Sequence, residues 1–523
     1  MLRHSTPLLV RPTRSAAATS LQALARGFGS TPPARIPKIP LWLNGKAVTM
    51  SSGGSVTVRH SKTRQPSCEL VVAGEEETRQ AVEGSWQAFE RWGIVPAWER
   101  RRVISKVLGL LQERFPVLAE ALHADAAVSD ILVAADQRSA TNLTDGAADT
   151  AINVDGWIPP TTDGALALVT RQPYGPVLSI PAFNYPLTLA LRSIVYPLAC
   201  GNTVILKSSI LIPQLHNALA SLFADAGLPD GALQIINFSE EDVAQRVEQL
   251  IADPLVRMVN FTGSTDIGRK LAAKCGEYLK PSVMELGGKS PAIVLPSADL
   301  KLAANNILFG GIFNSGQVCM STERILVHES VAADFEKELV IAAKEVEGRD
   351  GFDGFELVRP NAVKEIEAHI EEAIQAGAKL VYPSQSSPTS PASVHSTSCR
   401  LVILSNIPSH VFLASTESFA PVLSLQTFSH PSQALSLANG TSTGLSSSIF
   451  GSLDEALPLA QRIEAGAVHI NGMTIHDQHG LPFGGIKGSG WGRFNGKGAV
   501  EAFTWTRNVV WNGNGHLLPL QAL

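Results

Sequence analysis

Cysteine is scarce in this 523-residue sequence, and its spacing excludes several kinds of site. The five cysteines are far apart, and no Cys-x-x-Cys pair suggests a zinc site or a redox couple. Few cysteines in an odd number favour a reducing compartment, where an important cysteine acts as a free thiol. The five are Cys68, Cys200, Cys275, Cys319 and Cys399.

Long apolar runs and a strong charge of either sign are also missing. No stretch of about 18 apolar residues occurs, so we predict neither a transmembrane helix nor a membrane partner. The net charge of -5 argues against a nucleic-acid partner, which usually requires a basic domain. With 45% hydrophobic and 17% charged residues, the chain has the composition of an ordinary globular protein with a large core.

Acidic residues are absent from the first 68 positions, the first being Glu69. Residues 1–35 contain five arginines and many Ser, Thr and Ala, and Leu21, Leu24 and Phe28 share one face of a short helix. This composition is typical of a mitochondrial transit peptide, which predicts a location in the mitochondrial matrix. The alternative is a disordered basic tail on a cytoplasmic protein.

Apolar runs alternate with amphipathic segments along the rest of the chain. This alternation predicts an open α/β sheet with parallel strands. A strand and a turn are expected at 40–46, and a Ser- and Pro-rich segment at 383–398 indicates a flexible loop. The predicted strands include 166–169, 177–180, 203–206, 233–236, 258–261 and 291–295, and the predicted helices include 75–92, 186–197, 215–226 and 265–275.

The segment 261–268 (FTGSTDIG) joins a predicted strand to a predicted helix. Glycine lets a phosphate approach, and the free N–H groups at a helix N-terminus bind anions, so this turn can hold a pyrophosphate. It can equally be an ordinary turn with Ser or Thr as the N-cap. No Gly-x-Gly-x-x-Gly occurs in the chain, so a dinucleotide would bind here in a geometry unlike the usual Rossmann site.

Three further residues are candidates for catalysis, each with an ordinary alternative. Glu285, in the segment MELGGK, is either a buried general base or a turn residue paired with Lys289. Cys319 follows a polar Gly turn and is either a reactive thiol or an inert cysteine. Asn184, between two aromatic residues and two prolines, either donates to an oxyanion or begins the helix at Pro186.

Together these residues resemble the pattern of the aldehyde dehydrogenase superfamily. The order Asn184, Lys207, Gly263, Glu285, Cys319 and Glu417 matches it, as do the spacing of 34 positions from Glu285 to Cys319 (319 − 285) and the segment 481–490 (LPFGGIKGSG). The resemblance extends from about residue 40 to 510. It implies an α/β fold with a Rossmann-like NAD(P)-binding domain (36–150 and 173–286), a catalytic domain (287–488) and a small oligomerisation β-arm (151–172 and 489–523).

The resemblance also implies the roles of the individual residues. Cys319 is the nucleophile that forms a thioester, Asn184 holds the oxyanion, and Glu285 activates the water that hydrolyses the thioester. Lys207 and Glu417 hold the ribose hydroxyls of the cofactor. The other cofactor residues implied are Phe183, Gly263, Ser264, Thr265, Gly268 and Phe419; no metal is implied.

Two departures from the family pattern bear on the cofactor. Ile210 stands where the family usually has a Glu that binds the adenosine ribose, and its lack of charge would not repel a 2′-phosphate. We therefore predict NAD as the cofactor, with NADP possible. Ala420 replaces a family glycine, and its methyl group would shift the loop if that position needs a positive φ.

The segments 471–478 and 490–494 look most like those of vanillin, benzaldehyde and salicylaldehyde dehydrogenases. They predict an aromatic aldehyde as substrate, and Phe183, Phe313 and Phe419 are predicted either to line an apolar channel or to pack in the core. The alternatives are a semialdehyde or coenzyme A-acylating dehydrogenase, which Glu285 disfavours, and a non-catalytic NAD-binding protein of the same fold. The family resemblance predicts a homodimer or homotetramer.

Overall fold

The computed structural model describes residues 36–126, 128–162, 164–359, 361–383, 397–513 and 515. The predicted transit peptide 1–35 and most of the loop 383–398 lie outside these residues. None of the described helices has the length and apolar character needed to cross a membrane.

The described strands account for the predicted apolar runs. They are β1 (Lys38–Ile39), β2 (Leu41–Leu43), β3 (Lys46–Val48), β4 (Ser55–Arg59), β5 (Pro66–Val71), β6 (Leu166–Pro173), β7 (Pro176–Ile180), β8 (Thr203–Lys207), β9 (Leu233–Ile236), β10 (Met258–Thr262), β11 (Ser282–Glu285), β12 (Ser290–Val294), β13 (Thr322–His328), β14 (Phe355–Glu356), β15 (Lys379–Tyr382), β16 (Ser398–Cys399), β17 (Val402–Ser405), β18 (Val422–Phe428), β19 (Thr443–Gly444), β20 (Ser446–Phe450), β21 (Ala467–Ile470), β22 (Ile486–Lys487), β23 (Gly490–Trp491) and β24 (Thr504–Trp511).

The described helices include the four predicted above, with ends shifted by a few residues. They are α1 (Glu75–Trp92), α2 (Ala97–Glu113), α3 (Phe115–Asp125), α4 (Asp130–Ala151), α5 (Pro186–Ala199), α6 (Pro213–Asp225), α7 (Val243–Ala252), α8 (Thr265–Glu277), α9 (Leu300–Ile312), α10 (Ala332–Glu347), α11 (Ala362–Gln375), α12 (Phe412–Ser415), α13 (Pro431–Asn439), α14 (Leu453–Ala460) and α15 (Gly496–Phe503).

An eight-stranded sheet forms the first layer, in the order β23-β11-β10-β7-β8-β9-β2-β3. Its five inner strands from β11 to β9 are parallel, as predicted. Alternate residues of each strand point to opposite faces. In β8, Val204 and Leu206 pack with α2, α4, α5 and α6, while Ile205 packs with α1, α7 and α8. Helices on both faces explain why these strands are apolar throughout.

A second, seven-stranded sheet has the order β15-β17-β18-β13-β12-β20-β21, and only β15 runs antiparallel to its neighbour. Its core contains residues of α9 and α10. These two sheets confirm the predicted fold class of two open α/β layers.

The observed β-arm contains fewer residues than the segments predicted for it. β24 pairs with β6 along its whole length as an antiparallel two-stranded ribbon. Residues 490–491, however, pair with β11 at the edge of the first sheet, and α15 packs against α4 and α5. The predicted arm segment 489–523 therefore includes residues that belong to the body of the protein.

Helix α1 shows a limit of periodicity arguments. Val82, Trp86, Phe89 and Trp92 recur at helical spacing, which predicts that all four pack in the core; Val82 and Trp92 are buried, and the Trp92 ring nitrogen donates to the Leu198 carbonyl at 3.1 Å. Trp86 and Phe89, by contrast, are half-exposed and pack on each other with ring centroids 5.6 Å apart. Helical spacing identified the apolar face but not where the neighbouring elements stop covering it.

The sheet order brings the candidate residues together. Asn184 follows β7, Lys207 ends β8, Gly263 follows β10 and Glu285 ends β11. The four strands are parallel members of one sheet, so their carboxyl ends lie on the same edge, where α/β sheets bind ligands.

Candidate active site

Cys319 follows a tight turn made of three residues in left-handed backbone conformations. Asn314, Ser315 and Gly316 have positive φ values of 48°, 58° and 72°. A Cβ at Gly316 would lie 2.3 Å from the Ala420 carbonyl oxygen, so glycine is required there. The turn leaves Cys319 half-buried, and Cys319 lines a cavity.

The Cys319 thiol is held in its protonated form. Burial raises its pKa well above the usual range, and the nearby carboxylates of Glu285 and Glu417 raise it further. The thiolate is the nucleophilic form of cysteine. A base must therefore take the thiol proton as the sulfur attacks.

Glu285 is placed to be that base. Its side chain is 1% exposed, and its Oε2 accepts a hydrogen bond from Arg192 Nη2 at 3.0 Å. Its Oε1 is buried without a well-formed hydrogen bond, and the carboxylate is close enough to Cys319 to act on the thiol. One oxygen is thus fixed and the other is available to a proton.

The alternative partner considered for Glu285, Lys289, is wrong. Lys289 lies just before β12 and forms a buried ion pair with Glu323 in β13. The Gly287-Gly288 turn carries the chain from the first sheet into the second, and Lys289 follows it. Sequence proximity could not show this change of sheet.

Asn184 is fixed against the cysteine turn. Its side-chain Nδ2 donates to the Gln317 carbonyl at 2.8 Å, and its own carbonyl accepts from Asn314 Nδ2 at 2.7 Å. A side-chain amide carries two N–H groups. The second is left for an oxygen atom on a carbon bound to Cys319.

A cavity of about 1060 Å³ extends from Cys319 and Glu285 along the edge of the first sheet. Seven of the eight predicted cofactor residues line it. They are Phe183, Lys207, Gly263, Ser264, Thr265, Glu417 and Phe419.

Gly268 is the exception, and its predicted contact with the pyrophosphate is corrected. It lies on the buried side of α8, where a Cβ would come within 2.3 Å of Leu286 Cδ2. Thr265 at the start of the helix faces the cavity, and Gly268, three residues later, faces the strand instead. Gly268 thus allows the helix to pack closely on the sheet.

The N-terminus of α8 suits a pyrophosphate. Ser264 is the N-cap in extended backbone conformation, but its side chain makes no capping hydrogen bond. The N–H groups of the first turn are therefore not claimed by that hydroxyl and remain available to an anion. This outcome favours the phosphate interpretation of segment 261–268 over an ordinary capped turn.

Lys207 and Glu417 are half-buried charged residues that line the same cavity. Burial lowers the pKa of Lys207 to about 8, and no carboxylate offsets the effect. Burial and the neighbouring Glu323 raise the pKa of Glu417 to about 8, and its Oε1 accepts from the Gly288 N–H at 3.1 Å. A lone ammonium and a carboxylate can hold sugar hydroxyls, so the cavity fits a dinucleotide.

Hydrogen bonds to Glu323 fix the loop that carries Glu417. Both oxygens of Glu323 accept from the Ser418 N–H, at 3.0 and 2.9 Å. The next residue, Phe419, has a φ of 49°, whereas Ala420 is not left-handed. The methyl group of Ala420 therefore does not strain the loop, contrary to the concern raised by its replacement of glycine.

The three phenylalanines expected in one channel are divided between two places. Phe183 and Phe419 line the cavity with ring centroids 6.4 Å apart. Phe313 instead packs against Tyr185, at 6.4 Å, and Phe309, at 5.3 Å. Only the first pair faces the cofactor residues.

Sequence reasoning missed Arg192 and Gln317. Gln317 ties the cysteine turn to residue 356 through Nε2 and to Val358 through Oε1. For Arg192, a signal existed: it is the one charged residue within the otherwise apolar helix α5. Among the described residues, no group of three His, Cys, Asp or Glu side chains could hold a metal ion.

Comparison with known proteins shows the family of this chain. The sequence profile of the aldehyde dehydrogenase family matches residues 48–509. A vanillin dehydrogenase from Pseudomonas fluorescens is 38% identical over 485 residues, 91% of this chain and 99% of the relative.

Two solved structures are similar in fold. A salicylaldehyde dehydrogenase from Pseudomonas putida G7, complexed with salicylaldehyde, has a TM-score of 0.87 at 32% identity and covers 92% of this chain and 100% of its own. An NADP-dependent glyceraldehyde-3-phosphate dehydrogenase from Bacillus halodurans C-125, complexed with NADP, has a TM-score of 0.83 at 28% identity and covers 91% and 99%. The chain belongs to the aldehyde dehydrogenase family, whose members oxidise aldehydes with NAD or NADP.

Proposed function

We propose that this enzyme oxidises an aromatic aldehyde to its carboxylic acid through a thioester on Cys319. The observation that carries the proposal is the convergence of Cys319, Glu285 and Asn184 at one end of a cavity that fits a dinucleotide. The test is the reduction of NAD or NADP in the presence of benzaldehyde, vanillin and salicylaldehyde, compared with succinic semialdehyde and an aliphatic aldehyde. Faster turnover of the non-aromatic substrates would contradict it.

The reaction begins at the thiol. Cys319 Sγ bonds to the aldehyde carbon while its proton passes to Glu285, and the carbonyl oxygen becomes an oxyanion that accepts from Asn184 Nδ2. The bound nicotinamide supplies the hydride acceptor. As the C–H bond breaks, the C–O double bond re-forms and leaves an acyl group on sulfur.

Hydrolysis then frees the enzyme. After its proton has left to solvent, Glu285 takes a proton from water, and the oxygen bonds to the acyl carbon. The C–S bond breaks, the Cys319 sulfur takes the proton from Glu285 to become the thiol again, and the acid leaves. A buried carboxylate beside Cys319 favours water over coenzyme A as the acyl acceptor.

Loss of the oxyanion donor should be costly. We expect Asn184→Ala to lower kcat/KM by about 100- to 1000-fold, because one donor to a developing oxyanion is removed. The rate of NAD(P)H formation, followed by the absorbance of the reduced nicotinamide, measures this loss. Asn306→Ala, which removes an exposed amide bonded to its own helix, is the matched control. A wild-type rate in Asn184→Ala would exclude this role.

The aromatic part of the proposal is supported from two sides. The relatives named above act on vanillin and salicylaldehyde, by their names. Within this chain, Phe313 and Ile475 pack against the same core cluster as Cys319, and Tyr185 lies beside Phe313. The rings of Phe313 and Tyr185 and the apolar side chain of Ile475 suit an aromatic ring of the substrate.

We also propose that NAD is the preferred cofactor and that NADP is accepted. Ile210 packs against the apolar cluster of β1, β4 and β5 rather than lining the cavity, and Ser209 takes the place beside Lys207. Neither side chain carries a negative charge that would repel a 2′-phosphate.

A charge introduced at position 209 tests this arrangement. We expect Ser209→Glu to lower kcat/KM for NADP by about 10-fold or more relative to NAD, because like charges face each other. Ser209→Gln, of equal size and no charge, should leave the ratio near that of the wild type. An unchanged ratio in Ser209→Glu would place the 2′-hydroxyl elsewhere.

The oligomer and the location follow as proposals. The ribbon of β6 and β24 exposes large apolar side chains, with Val510 52% and Trp511 65% exposed, which favours burial in a homodimer or homotetramer. Light scattering of the purified chain tests this.

The composition of residues 1–35 supports import into the mitochondrial matrix, which a fusion of this segment to a fluorescent protein tests.

A further inference from the structure

Arg192 places a permanent positive charge beside the candidate base. It lies two turns into α5, eight residues after Asn184, and its side chain is 3% exposed. Its Nη2 donates to Glu285 Oε2 at 3.0 Å and lies 3.4 Å from Thr262 Oγ1. The two charges are thus buried together at the end of β11.

The guanidinium is held from its other sides as well. The rings of Phe483 and Phe494 have their centroids 4.8 and 4.3 Å from the guanidinium carbon. Asp477 Oδ2 lies 3.8 Å from Nη1, and Asp477 Oδ1 accepts a hydrogen bond from Asn495 Nδ2 at 2.7 Å. Aromatic faces attract a cation and fix its plane, so Arg192 has little freedom to leave Glu285.

We infer that Arg192 is a positioning residue that holds Glu285 ionised, with Oε1 turned toward Cys319, for hydrolysis of the thioester. The inference rests on the proposed function. A buried carboxylate that loses its cationic partner takes up a proton more readily, and a protonated Glu285 cannot accept one from water. A planar guanidinium also fixes the carboxylate in one orientation, which a flexible ammonium does less well.

Other charges around Glu285 make the contribution of Arg192 necessary. Most of them are carboxylates or belong to compensated pairs, and Arg192 is the cation in direct contact. The groups that face Glu285 or its immediate partners are Arg192, Cys319, Glu417, the Lys289–Glu323 pair, Asp477, and His476 and His479 beside Asp477.

Rapid-mixing kinetics of the full-length enzyme test the inference with Arg192→Gln and Arg192→Lys. In Arg192→Gln we expect a first-turnover burst of NAD(P)H that requires a higher pH than in the wild type, then thioester hydrolysis slowed about 10- to 100-fold, a part of what general base catalysis supplies. The pH profile of hydrolysis should move to higher pH, and mass spectrometry should detect acyl-enzyme on Cys319. Arg192→Lys should restore both the rate and the profile in part.

Arg100→Gln is the matched control. Arg100 is also buried and donates to the Ala199 carbonyl at the other end of α5, but it does not contact Glu285. It should keep the wild-type pH profile. A purely structural role for Arg192 would lower burst and hydrolysis together without moving the pH profile, and that result would overturn the inference.

Asp477→Asn provides a second, independent test, which can be carried out even if Arg192→Gln does not fold. In this variant Glu285 is the one carboxylate, among the described residues, that pairs with Arg192. The pH profile of thioester hydrolysis should therefore move to lower pH, opposite to the shift in Arg192→Gln. A shift to higher pH, or none, would contradict the inference. Absence of turnover with every aldehyde in the wild type and in Arg100→Gln would instead overturn the proposed function.

Discussion

Replacing Cys319 with alanine abolishes aldehyde oxidation while cofactor binding survives. We expect kcat/KM to fall by about 10⁴- to 10⁶-fold, as when a covalent nucleophile is removed from an enzyme. The cavity is lined chiefly by other residues, so the quenching of protein fluorescence by NAD should titrate as in the wild type.

Cys399→Ala is the control for this substitution. Cys399 is also half-buried but lies in β16, donates to the Phe355 carbonyl at 3.4 Å and does not line the cavity. It should keep wild-type activity. If Cys319→Ala retained a comparable rate, the thioester mechanism would be wrong whatever the substrate.

Replacing Glu285 with glutamine should separate the two halves of the reaction. Without the Glu285 charge, the pKa of the Cys319 thiol falls, because that carboxylate is among the causes that raise it, while burial, the largest cause, remains. Raising the pH increases the fraction of thiolate that forms without the base, so the first turnover persists at high pH. Hydrolysis has no such substitute and should slow by about 10²- to 10⁴-fold.

A stopped-flow trace of NAD(P)H shows the two phases directly. The expected trace has a burst close to one equivalent per active site, followed by a slow steady state. Glu417→Gln, which makes the same change at a cofactor residue of the same cavity, should raise the KM for the cofactor without producing that pattern. Loss of the burst and the steady rate together in Glu285→Gln would show that Glu285 is needed mainly for thioester formation.

Much of the fold could be predicted from sequence because buried parallel strands carry local signals. The apolar runs that became β8, β9 and β10 are buried on both faces, and the turn after β10 marks the start of α8. The order of Asn184, Glu285 and Cys319 in the chain, read as a resemblance, was enough to predict that they meet.

The details that sequence could not provide depend on three-dimensional contacts. Arg192 meets Glu285 across 93 residues and Asp477 across a longer interval, and no local pattern marks either pair. The family resemblance implied that Gly268 contacts the cofactor, but the turn of the helix places it against Leu286. In both cases the side of the helix on which the residue lies, rather than its residue type, determines what it contacts.

The measurement that tests the central claim most directly is the mass of the trapped enzyme. Glu285→Gln is mixed with benzaldehyde and NAD, quenched in acid within the burst and analysed intact and as peptides. The mechanism predicts a mass increase equal to one benzoyl group in place of the thiol hydrogen, on the peptide that contains Cys319. An unmodified Cys319 during a full burst of NADH, or an acyl group on another residue, would contradict it.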